Sequence, residues 1–119
     1  MKKRDALAAL ATLAQENRLD VFRLLIEAGP QGLSAGSVAN ALKLAPNTLT
    51  FHFDRLRETG LVTVKRNGRS MIYAARYDTM NGLLAYLTEN CCQGNADECL
   101  PAERKKTART LARGKEQVT

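Results

Sequence analysis

The chain has 119 residues, 45% of them apolar, and a formal net charge of +6. That length holds one domain, or one domain and a tail, and the apolar share excludes disorder throughout. The basic balance points to a polyanionic partner, nucleic acid first and an anionic membrane surface second, unless a basic tail alone sets it.

The first stretch, MKKRDALAALATLAQENRLD, places positive charges before apolar residues as a signal peptide does. Asp5, Gln15 and Glu16 break that run, and the spacing of Ala6, Leu7, Leu10 and Leu13 predicts instead an amphipathic helix to about residue 15. No later stretch is long enough to span a bilayer, so the expected location is the cytoplasm, with no membrane partner. Asn17 is the expected N-cap of a second helix with Val21, Phe22, Leu25 and Ile26 on its apolar face, ended by Gly29-Pro30. Ser34 caps a third helix through Val38, Ala41 and Leu42.

LAPNTLTFHFDRLRETG, residues 44–60, forms a fourth helix that starts near Pro46 and stops at Gly60. Leu49, Phe53 and Leu56 make its buried stripe. Asn47, Thr48, Thr50, Phe51, His52 and Arg55 are expected on the opposite face. Two short helices with a tight connection, the second rich in hydrogen-bonding groups near its start, form the helix-turn-helix pattern. The hydrophobic period then changes to two. LVTVK and SMIYAA read as strands around RNGR, with Asn67-Gly68 as a type I′ turn that displays Lys65, Arg66 and Arg69. A last helix runs from about Asp78 to Glu89, with Met80, Leu83, Leu84 and Leu87 on one face. The expected division is a DNA-binding and dimerisation domain over 1–90 and a cysteine loop with a basic tail over 91–119.

This order, α-α-α-α-β-β-α, is mainly α with a small β-hairpin and describes a winged helix-turn-helix. RLDVFRLLIEAGP, LSAGSVANAL, TLTFHFDRLRETGLV and RNGRSMIYAA resemble the arsenic-repressor (ArsR/SmtB) family from about residue 5 to residue 90. In the family's most specific stretch Thr50 takes a position usually held by Ser, Phe51 replaces the first of two His, and His52 matches the second. The resemblance implies a cytoplasmic homodimeric repressor that leaves its double-stranded operator when an inducer binds. It also implies a DNA contact for His52, where a lone histidine is otherwise more often structural. The expected DNA-contacting residues are Asn47, Thr48, Thr50, Phe51, His52 and Arg55 on the helix and Lys65, Arg66 and Arg69 on the wing. Bases are read by amide, hydroxyl and apolar groups, and phosphates by arginine and lysine.

All three cysteines, Cys91, Cys92 and Cys99, lie in ENCCQGNADEC, and an odd count argues against a disulfide framework. Three thiolates fill the coordination of trivalent arsenic or antimony, whose lone pair takes the fourth direction. Zinc or cadmium would need Asp97, Glu98 or water as a fourth ligand. Redox or persulfide sensing is the remaining reading. A bond between adjacent Cys91 and Cys92 would be strained, whereas Cys99 could pair with either. The family's usual Cys-x-Cys in the third helix and the zinc site with His on the last helix are both missing. Cys-Cys-Gln-Gly with a third downstream Cys instead resembles an arsenite-sensing subgroup. A small thiol enzyme is a weaker reading, because no Cys-x-x-Cys, nucleotide loop or acid–base pair accompanies the cysteines. A constitutive architectural DNA binder is the other alternative.

Overall fold

The structure, a computed structural model, describes residues 1–91. It divides into a compact unit Met1–Leu87 and a second, Thr88–Thr119. Of the second only 88–91 are described, where the chain turns at Asn90 (φ 57°) and the Cys91 amide donates to the Thr88 carbonyl at 3.0 Å. Cys92, Cys99 and the basic tail lie outside the described residues.

Unit one contains α1 (Lys3–Leu13), α2 (Glu16–Ala28), β1 (Leu33–Ser34), α3 (Ala35–Leu42), α4 (Pro46–Glu58), β2 (Val62–Asn67), β3 (Ser70–Ala75) and α5 (Tyr77–Leu87). The helices and hairpin follow the expected order. The N-cap of α2 differs: it is Gln15, not Asn17. Gln15 is extended, and its side-chain oxygen accepts from the Arg18 amide at 2.9 Å, which lets the helix begin at Glu16. Ser34 caps α3 as expected, accepting from the Ser37 amide. In α3 the inward small residue is Ala39; Ala41 is exposed.

The core is built from Val21 and Leu25 of α2, Val38 of α3, Leu49, Phe53 and Leu56 of α4, and Leu61 beyond it. The end of α4 is fixed by two hydrogen bonds, Gly60 N–H to Arg57 O and Leu61 N–H to Leu56 O. Leu56 and Leu61 are both fully buried, so the helix stop also closes the core. In α1 the buried residues are Ala6 and Ala9. Small side chains let this helix sit close to the core, while Leu7 and Leu10 remain 59% and 40% exposed.

The third strand, β1, was not expected. The sheet order is β1-β3-β2, all antiparallel, with Leu33 opposite Tyr73 and Ser34 opposite Ile72. Gly32 makes that pairing possible. Its φ is +72°, and a Cβ there would lie 2.3 Å from the Tyr73 carbonyl oxygen. Across the hairpin, Val62 pairs with Ala75 and Val64 with Tyr73, which puts the core-facing residues of both strands on one side.

The hairpin turn is also one residue later than expected. Asn67 pairs with Ser70, so the two-residue loop is Gly68-Arg69. Gly68 has φ +63°, whereas neither Asn67 nor Arg69 has positive φ. Positive φ at the first central position alone is the type II′ pattern, not type I′. The strand register decided this, because pairing Asn67 with Ser70 leaves Gly68 as the residue that must turn.

Candidate nucleic-acid interface

Helix α4 begins with Pro46 at its first position and has no side-chain cap at Ala45; its first turn carries no acidic residue. The amides of Asn47 and Thr48 therefore meet solvent at the positive end of the helix, an arrangement suited to phosphate. Helices α2 and α3, by contrast, are capped by Gln15 and Ser34.

On the outward face, Asn47, Thr48, Thr50, Phe51 and Arg55 are all exposed, as expected. The Thr50 hydroxyl donates to the Pro46 carbonyl at 2.9 Å, which leaves its oxygen lone pairs directed at incoming donors. Phe51 is 51% exposed. The Arg55 guanidinium lies 5.1 Å from its ring centroid and donates to Glu58 at 3.1 Å. On the surface the arginine thus has an aromatic face and a carboxylate as neighbours.

His52 does not join this set. It is 5% exposed, the one buried polar or charged residue among those described, and its ring meets Phe51 edge-on. Its Nδ1 faces the Arg18 guanidinium at 3.5 Å. Burial, followed by the Arg18 charge, holds its pKa below the ordinary value of 6.5. The expected outward placement of His52 is therefore not found: the ring is buried, with Arg18, 34 positions away in sequence, beside its Nδ1, and no local pattern showed it. Arg18 is correspondingly a residue that the sequence reading missed.

The wing strands project Lys65, Arg66 and Arg69, all exposed. Arg66 Nε donates to the Gly68 carbonyl at 3.1 Å, tying the side chain to the turn. The wing is joined to the recognition helix by Phe53 and Tyr73, whose rings stack at 3.6 Å and 3°. This stack, with the packing of β2 against α4, joins the hairpin to the helix. Asp78 at the start of α5 has its pKa lowered, first by the Arg76 hydrogen bond, at 2.9 Å.

Among the described residues no group of three or more His, Cys, Asp or Glu side chains could hold a metal ion. Cys91 is half-buried. The other two cysteines of the expected inducer site lie outside the described residues. No helix among those described is long and apolar enough to cross a membrane.

A recognition helix with a free N-terminal turn, preceded by a short helix and followed by a basic hairpin, defines a winged helix-turn-helix protein. Residues 13–65 match the family described as a helix-turn-helix domain. The chain is 33% identical over 72 residues to the uncharacterized HTH-type transcriptional regulator YceK of Bacillus subtilis, covering 60% of this chain and 71% of that one. It is 28% identical over 97 residues to the transcriptional activator HlyU of Vibrio cholerae, covering 80% and 87%. The solved structure of that HlyU superposes with a TM-score of 0.59 over 73% of this chain and 97% of that one, at 28% identity. An ArsR-like transcriptional regulator from Rhodococcus sp. RHA1 shares the fold, with a TM-score of 0.66 over 92% and 93% at 22% identity. The chain belongs to the HTH-type transcriptional regulators.

Proposed function

We propose that this regulator is a cytoplasmic homodimeric repressor that binds operator DNA through α4 and the wing and releases it when trivalent arsenic binds Cys91, Cys92 and Cys99. The observation that carries the DNA half is the uncapped start of α4 beside exposed Asn47, Thr48, Thr50, Phe51 and Arg55, flanked by Lys65, Arg66 and Arg69. Amide and hydroxyl groups of the helix read base edges, Phe51 packs on a thymine methyl, and the wing cations neutralise phosphate.

The dimer half is supported by Leu7 and Leu10 on α1 and Leu87, 56% exposed, on α5. These two helices pack against each other, and a second copy covers their apolar residues. A homologous fold, Mb0332 from Mycobacterium bovis, is described as homodimeric.

The inducer half is supported by the sequence: three thiolates gathered in one short segment match the three-coordinate preference of As(III), and antimony(III) shares it. Ligation at residues 91–99, next after α5, would act on the dimer helix and so on the spacing of the two recognition helices. Such coupling is typically about 1–3 kcal/mol and reciprocal.

The test is fluorescence anisotropy on a duplex selected from random sequence, titrated in parallel with arsenite, antimonite, cadmium, zinc and peroxide. Arsenite should release the native protein, and each of Cys91→Ser, Cys92→Ser and Cys99→Ser should bind DNA normally and ignore arsenite. Release by peroxide alone, or arsenite release that survives all three substitutions, would sink the arsenic reading and leave the DNA reading standing.

A further inference from the structure

Arg18 makes three connections from the first turn of α2. Its amide is capped by Gln15, its Nε donates to the Thr12 carbonyl of α1 at 2.7 Å, and its Nη1 stands 3.5 Å from His52 Nδ1 on α4, the outer limit of a hydrogen bond. One side chain therefore links the last turn of α1, the start of α2 and the inner side of the recognition helix. A guanidinium only donates. The nitrogen it meets must carry a lone pair, so the contact requires neutral His52 with its proton on Nε2.

We propose that Arg18 is a positioning residue for DNA recognition: it holds α4 in place through neutral His52, and protonation of His52 releases the helix and weakens operator binding. The proposal rests on the reading of α4 as the DNA-contacting helix. Protonation would leave two cations face to face across a part-buried contact, and among the described residues neither forms an ion pair that would offset the other. Helices α1, α2 and α3 and strand β2 all pack against α4. Among the described residues the charge they bring to bear on His52 is that of Arg18; α1 adds the Thr12 carbonyl, which Arg18 itself occupies, and α4 adds the neutral edge of Phe51.

The direction of the effect separates this device from ordinary electrostatics. A histidine lying near phosphates gains a proton in their field, so acid normally tightens DNA binding. Here the bound state needs the latched helix and hence the unprotonated ring, so acid should loosen binding. Stability follows the same sign. The unfolded chain takes up the proton below about 6.5 and the folded chain only at lower pH. The contribution is complete above 6.5 and is lost as pH falls through the folded value.

His52 is the sole histidine of the chain, so its ring signals need no assignment. Nitrogen-15 NMR of the native protein should show the Nε2–H tautomer and a titration below 6.5, and Arg18→Gln should move that titration upward. Anisotropy at constant salt, on a duplex selected at pH 8, should show affinity falling as the pH is lowered through the His52 titration that NMR reads, by about fivefold or more once the ring is protonated, within the usual range for coupled sites. His52→Asn, which keeps an acceptor near the Nδ1 position and cannot titrate, should give a flat profile. The Nδ1–H tautomer, a titration unmoved by Arg18→Gln, or a pH profile unchanged in His52→Asn would each overturn the proposal. A protein that binds no duplex at any pH would overturn the DNA reading of α4 and the proposal with it. The histidine titration, which needs no DNA, tells that failure from failure of the latch alone.

Discussion

Replacing Gly32 with alanine should damage this fold far more than its size suggests. The new Cβ would stand 2.3 Å from the Tyr73 carbonyl oxygen, 3.0 Å from its carbon and 3.1 Å from the Ala74 Cβ. Two of those neighbours are backbone of the central strand and cannot rotate away, so β1 must withdraw. Withdrawal breaks the short ladder Leu33–Tyr73 and Ser34–Ile72, at about 1 kcal/mol for each hydrogen bond lost. The φ of +72° adds strain for any L side chain, about 1–2 kcal/mol. The sum is about 3–4 kcal/mol, a large part of a typical small-domain stability of about 5–15 kcal/mol. Urea denaturation followed by far-ultraviolet circular dichroism would measure it. Two other glycines calibrate the result. Gly68→Ala meets open space at φ +63° and should cost only the backbone strain, about 1–2 kcal/mol. Gly36→Ala meets open space inside α3 and should stabilise, by about 0.5–1 kcal/mol. If Gly32→Ala loses no more than Gly68→Ala, the close approach of β1 to β3 is not what holds the wing base, and the reasoning fails.

Arg66→Ala and Arg69→Ala should each weaken binding to every duplex and reduce the slope of log affinity against log salt by about 1, the signature of a lost phosphate contact. Thr50→Ala or Asn47→Ala should instead relax sequence preference, by about 1–3 kcal/mol at one base position, read by competition between operator variants. Leu7→Glu with Leu10→Glu should leave the helical content intact and give a monomer in sedimentation velocity at micromolar concentration, because both side chains are exposed in the protomer; a stable dimer would move the interface elsewhere. Lys43 ends α3 in the left-handed region at φ 55°, so Lys43→Gly should raise stability by about 0.5–1 kcal/mol after the entropy cost of glycine. Thermal melts would show the gain, and a loss would mean that the lysine side chain contributes something its backbone strain conceals.

The helices of this protein were legible because their signals are local. Pro46 at the start of α4, the spacing Leu49–Phe53–Leu56, Ser34 as a cap and the switch to period two after Leu61 all act within a few residues of themselves. The exposed residues of α4 and the wing cations could be named for the same reason: a residue opposite a buried stripe, or at a hairpin tip, is usually outward, and on α4 only His52 departs from this. What the tertiary structure decided involves partners far away in sequence. Gly32 looks like a loop residue until Tyr73 passes beside it, and the hairpin turn falls on Gly68-Arg69 because of the register in which Asn67 meets Ser70. On α1, the close seat of Ala6 and Ala9 against the core is what turns Leu7 and Leu10 outward. His52 was expected on the outward face of α4, and the structure instead buries it with its Nδ1 3.5 Å from Arg18, 34 positions away in sequence. Helical periodicity fixes which residues share a face, but the choice of the face that is covered belongs to the contacts that close the core.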